Sequence, residues 1–155
     1  MSLTQVDFFI LPGSCLVSDD RNNFKLDEEG LFEDDIFWRD SKPSPEVFLP
    51  VEDILGRSPS WHNDLIMYGS QESNRLQVWV EENLVVSASF RIDFTAKYED
   101  ILCSLLEFFI LNGLKILDGE LNVVALNVEA VNGVIVNTTQ YRFYRNIVSE
   151  DLGNK

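Results

Sequence analysis

The apolar positions between residues 75 and 112 change period once, and that change organises the chain. In 76–80 and 84–94 the apolar side chains fall on even numbers: Leu76, Val78 and Val80, then Leu84, Val86, Ala88, Phe90, Ile92 and Phe94. A period of two marks a strand with one buried face. Both rows share that face only if paired positions have an even sum. The pattern therefore predicts a hairpin closed by the three-residue loop Glu81-Glu82-Asn83, with Val80 opposite Leu84. Asn83 then takes the left-handed position that asparagine tolerates. A two-residue Glu82-Asn83 turn would set Val78 opposite Ser87 and turn one row to solvent. From Tyr98 the period becomes helical: Tyr98, Ile101, Leu102, Leu105, Phe108 and Phe109 form a stripe, with Asp100, Ser104 and Glu107 on the polar side. Thr95 is the expected N-cap and Asn112-Gly113 the expected stop. This helix, 98–112, should lie on the even face of the hairpin.

Elsewhere the patterns are shorter. Residues 6–11 read as a strand ended by Pro12-Gly13, 65–68 as a third strand beside the hairpin, and 114–117 as a short strand or turn. Residues 51–55, before Gly56, read as one or two helical turns. All five prolines lie at or before Pro59, which separates a loop-rich first third from a regular body. Residues 121–144 admit two readings. Asn132-Gly133 between β-branched runs signals a type I′ hairpin, whereas Val124, Val128, Val131, Ile135 and Thr138 fit a helical stripe. The helix would carry a mid-helix glycine, at a cost of ~1 kcal/mol. The expected architecture is α+β: an antiparallel sheet of four or more strands with one main helix, 98–112, packed on one face. A single domain, 1–155, is expected, with 13–60 as a loop-rich acidic segment lying on the body.

Composition adds charge to this picture. With 155 residues, 45% of them hydrophobic, the chain can bury a sizeable core. Its longest apolar region, 101–117, is interrupted by Glu107, Asn112 and Lys115, so no membrane-length span is expected. The run 8–11 is too short for a signal core, and a cytoplasmic location is expected. A net charge of −14 argues against nucleic acid and fits a basic protein partner, with solubility as the plainer use of the same charge. Asp27, Glu28, Glu29, Glu33, Asp34, Asp35 and Asp40 crowd 18–40 among Phe24, Phe32, Phe37 and Trp38, too aromatic a mixture for a disordered tail. Cys15 and Cys103 permit a disulfide, but Cys103 fits the helix as a small apolar residue.

No motif reaches a catalytic signature. His62 is the only histidine, followed by Asn63 and Asp64, and no Gly-x-Ser-x-Gly elbow presents a serine. The cysteines and His62 lack zinc-ligand spacing, and the acidic runs lack the alternation of a calcium loop. No cofactor or metal is expected. The remaining candidate is the polar face of the hairpin, where the expected register sets Gln77 opposite Ser87 and Arg75 opposite Ser89. Arg75, Trp79, Arg91 and Asp93, with Trp38, Asp34 and Asp35 from the acidic segment, are the candidate partner-binding residues. The structural alternative has Asp93 bonding the helix entry and Arg91 crossing to a neighbouring strand.

Gly69-Ser70, Asn74-Arg75, the hairpin, the run from Ser89 to Asp93 and Thr138-x-Gln140-x-Arg142-Phe143 together resemble a group of small uncharacterised bacterial proteins. These carry a Gly-Ser, Asn-Arg, Arg-Ile-Asp order, and some look immunity-type. The resemblance spans 69–146 and implies no catalytic residue and a helix around 124–144, from which Gly133 departs. The expected function is a non-enzymatic acidic protein-binding module, one version being an immunity-type inhibitor of a basic toxin. The alternatives are a small-ligand binder or hydrolase using a polar cleft around Arg91 and Asp93, with His62, and a homodimer joined through Trp79 and Val85.

Overall fold

Among the described residues the β-branched and aromatic runs become seven strands: β1 (Gln5–Pro12), β2 (Arg57–Ser58), β3 (Leu65–Gly69), β4 (Arg75–Glu81), β5 (Leu84–Asp93), β6 (Leu114–Leu117) and β7 (Val123–Val124). The coordinates are a computed structural model that describes residues 4–13, 37–39, 42–70 and 72–153. The strands form one sheet in the order β2-β3-β4-β5-β1-β6-β7, antiparallel throughout. A 3-10 helix, Pro45–Val51, leads into α1 (Glu52–Leu55); α2 (Glu99–Leu111), α3 (Val128–Val136) and α4 (Thr139–Gly153) follow. This is the α+β architecture that the alternating and helical periods predict.

The hairpin closes differently from expectation. Glu82 (φ 51) and Asn83 (φ 65) form a two-residue turn with both φ angles positive, as in type I′, pairing Glu81 with Leu84 and Val80 with Val85. Alone, that turn would send one apolar row to solvent. A β-bulge at Trp79/Val80 cancels it: Trp79 pairs with Ser87, Val86 is the extra residue, and beyond it Val78 faces Ala88 and Leu76 faces Phe90. Val85 therefore enters the core in place of Leu84 and Val86. Gln77 faces Ser89, not Ser87, and Arg75 faces Arg91, not Ser89. With Val85 turned inward, it and Trp79 no longer share an outer face for a homodimer.

Below the bulge the even-numbered face is intact. Leu76, Val78, Ala88, Phe90 and Ile92, with Phe8 and Ile10 of β1, are at most 1% exposed. α2 roofs them through Leu102, Leu105 and Phe109; the Phe109 and Phe90 rings lie 5.3 Å apart, and Phe8 stacks on Phe90 at 4.9 Å. Fully burying each large side chain contributes about 1.5–3 kcal/mol before entropy is subtracted. At the start of α2, Tyr98 occupies the N-cap position without a side-chain cap, and Thr95 bonds elsewhere. The helix ends where Asn112 Nδ2 donates to the Phe108 carbonyl and Gly113 takes φ 64. Cys103 faces outward.

Residues 121–144 adopt the helical reading apart from the two-residue β7. The Asn127 side chain accepts from the Ala130 N–H at 2.7 Å and starts α3, whose Val131 and Ile135 are fully buried. Asn132 is a helix residue, and its Oδ1 accepts from the Tyr98 hydroxyl at 2.6 Å. Burial pushes the Tyr98 phenol pKa up, with the Glu99 charge adding to it. Burying that stripe outweighs the ~1 kcal/mol penalty of a mid-helix glycine.

In the proline-rich third, 14–36 lies outside the described residues. Trp38 is 1% exposed and packs 6.3 Å from Phe48, which meets Phe108 at 5.8 Å, so this stretch supplies core. Among the described residues no helix is long and apolar enough to cross a membrane.

Candidate functional site

Strand alternation places Gln5, Asp7, Arg75, Gln77, Trp79, Ser87, Ser89 and Arg91 on the sheet face away from α2. At one end of this face the polar groups answer one another. Asp7 lies opposite Arg91 in the β1–β5 register and takes its guanidinium bidentately, Nε to Oδ1 at 2.7 Å and Nη2 to Oδ2 at 3.2 Å. Nη1 donates to Gln5 Oε1 at 3.0 Å. Arg75 faces Arg91 from the other side; burial, then the Arg91 charge, lower its pKa, and Asp7 partly offsets them. Asp93, buried, does not join this group. Its Oδ1 accepts from the Thr95 N–H at 3.0 Å and the Thr95 hydroxyl at 2.6 Å, while its own N–H donates to Asn74 Oδ1 at 2.8 Å. Asp93 thus fixes the exit from β5, and Asn74 ties the β3–β4 turn to it. Gly69 belongs to the same turn: at φ 83 a Cβ would collide with the Asn74 carbonyl. Of the Gly-Ser, Asn-Arg and Arg-Ile-Asp positions, Gly69, Asn74 and Asp93 close the turns at the strand ends, while Arg91 is held by side chains.

Beside Arg91 opens a cleft of about 600 Å³, bounded by Gln5 and Asp7, the Asp118–Glu120 turn, Gly133 of α3 and the start of α4. Its carboxylates are partly committed. Asp118 Oδ1 accepts from the backbone N–H groups of Glu120 and Asn122, each at 2.9 Å, and Asp7 is held by Arg91.

The other end of the face is aromatic. Trp79, opposite Leu65 and Ser87, meets Trp61 at 5.4 Å with the ring planes 74° apart, and His62 lies 5.3 Å from Trp79 and 6.0 Å from Trp61. Trp61 is 63% exposed. Its loop is nevertheless pinned: Ser60 Oγ donates to the His62 carbonyl at 2.7 Å, the Asp64 N–H to His62 Nδ1 at 3.0 Å, and the Val80 N–H to the Asp64 carbonyl at 2.8 Å. Grooves of about 410 and 460 Å³ both include Trp61 in their walls. Asp64, Glu72, Glu81 and Glu82 are exposed.

The structure thus brings Arg75 and Arg91 together and sets Trp79 in a separate cluster with His62. Asp93 is turned into the fold, Trp38 belongs to the core rather than a recognition surface, and Asp34 and Asp35 lie outside the described residues. His62, Arg91 and Asp93 do not converge on one cleft. Ser87, the partner of Trp79, is four residues from Arg91 along β5, about 13 Å at the rise of a strand. Trp61 is the residue that sequence reasoning passed over; its only signal is an aromatic in a serine-rich loop just before β3. Among the described residues no three His, Cys, Asp or Glu side chains gather as metal ligands. No family model, curated protein or solved structure matches the chain.

Proposed function

We propose that the protein is a non-enzymatic, acidic protein-binding module, with Trp61, His62 and Trp79 as its anchor and a basic protein as its partner. One observation carries this reading: Trp61 stays 63% exposed on a loop whose backbone is hydrogen-bonded into place. A large aromatic held out to solvent on a fixed support has the chemistry of an interface hot spot. The net charge of −14 supports the choice of partner, because its field accelerates encounter with a cationic surface. An immunity-type inhibitor covering the basic active site of a toxin in the bacterial cytoplasm is one concrete version, resting on the resemblance and the charge. The rival reading, a small-ligand site beside Arg91, draws on the volume of that cleft.

The test is capture from a bacterial lysate on immobilised native protein and on its Trp61→Ala variant. A basic protein held at low salt, released at high salt and lost from the variant supports the module. Capture of nothing at low salt contradicts it.

A further inference from the structure

We infer that the exposed face of Trp61 is a seat for an arginine side chain of the basic partner, an inference that rests on the module reading above. The steep angle between Trp61 and Trp79, 74°, means that one ring meets the other edge to face. His62 meets Trp61 at a similarly steep 79°, so neither neighbouring ring stacks on the 63% exposed indole, and Trp61 lines two grooves. The face of an indole carries the negative part of its quadrupole and attracts a cation within about 6 Å of the ring centroid.

The two grooves are not equivalent. The one that includes His62 and Asn63 also includes Arg57, a fixed positive charge whose guanidinium lies 5.7 Å from the centroid of the Tyr68 ring. The other is bounded by Ser58, Pro59, Ser60, Met67, Gly69 and Ser70, and among the described residues that line it none is cationic. At its rim the Glu72 N–H donates to Ser70 Oγ at 3.2 Å, which places an exposed carboxylate-bearing residue beside the groove. An incoming cation is repelled from the first groove and drawn into the second, where serine hydroxyl oxygens can accept its hydrogen bonds. Guanidinium fits this seat better than ammonium: it is planar, stacks on an indole and is more weakly hydrated. The excess of 26 acidic over 12 basic residues supplies the long-range complement.

The probes are three blocked pentapeptides, Gly-Arg-Gly-Arg-Gly and its lysine and glutamate counterparts, titrated into the full chain and followed by tryptophan fluorescence and calorimetry. The arginine peptide should bind native protein more tightly than the lysine peptide and lose about tenfold in affinity in Trp61→Ala. Trp61→Phe, which keeps an aromatic face, should restore part of it, and circular dichroism confirms that the variants are folded. Equal binding to native protein and Trp61→Ala overturns the seat but leaves the module reading, since charge alone would then suffice. Equal affinity for the arginine and lysine peptides overturns the choice of guanidinium. An arginine peptide that does not bind, while lysate capture succeeds, also overturns the seat and leaves the module standing.

Discussion

The two ends of the sheet's polar face are built in opposite ways. Around Arg91 and Asp93 the polar groups are consumed by the fold: Asp7 and Gln5 hold Arg91, and Thr95 and Asn74 hold Asp93. Around Trp79 the fold invests three loop hydrogen bonds and two ring contacts in a tryptophan that remains mostly in water. Buried polar groups are costly unless paired, so a dense polar motif is often a solution to a folding problem. An exposed aromatic has no such explanation, and it is the aromatic end that is left for a partner.

Substitutions at the two ends should separate stability from recognition. Asp93→Ala should be the most damaging, at about 3 kcal/mol, because it removes two charge-assisted hydrogen bonds that a buried carboxylate makes to the turn at Thr95; urea unfolding measures it, and a loss below ~1 kcal/mol would deny Asp93 its structural role. Arg91→Ala should cost about 1 kcal/mol by the same method, since its partner Asp7 is 59% exposed and water screens the pair. Basic-partner capture should survive that change. Gly133→Ala, at the wall of the Arg91 cleft, should raise stability by up to ~1 kcal/mol, because nothing lies within 4 Å of the added Cβ. Destabilisation there would contradict the helix. Trp61→Ala should shift the unfolding midpoint least, within ~0.5 kcal/mol, while abolishing capture.

The contrast also explains what could be read in advance. The core face was legible because two departures cancelled. A two-residue turn shifts the pairing sum by one, the bulge at Val86 shifts it by one more, and the even positions from Ala88 onward still point inward. The register itself was not legible, since Glu82 is not a residue that advertises a positive-φ turn position. Asn132-Gly133 left 121–144 open between two readings: its local turn chemistry is real, but the stripe through Val131 and Ile135 buries more as a helix. Of the site, alternation put Arg91 on the polar face, and the structural alternative for it and Asp93 was open beside the partner-binding one; that Asp93 turns away from Arg91 to close the exit from β5 was not legible. Nor was Trp61, because its meeting with Trp79 depends on the β3–β4 register, a non-local fact that sets Leu65 opposite Trp79. Trp38 shows the converse, an aromatic in an acidic stretch whose place is set by Phe48 and the core rather than by its neighbours in sequence.

The division of the polar face is tested most directly by two-dimensional NMR of the isotope-labelled chain during titration with the arginine peptide. The indole N–H signals of Trp61 and Trp79 should move, while the Trp38 indole and the amides of Asp7, Arg91 and Asp93 stay in place. Movement at Asp7 and Arg91 with the Trp61 and Trp79 indoles unchanged would contradict the account.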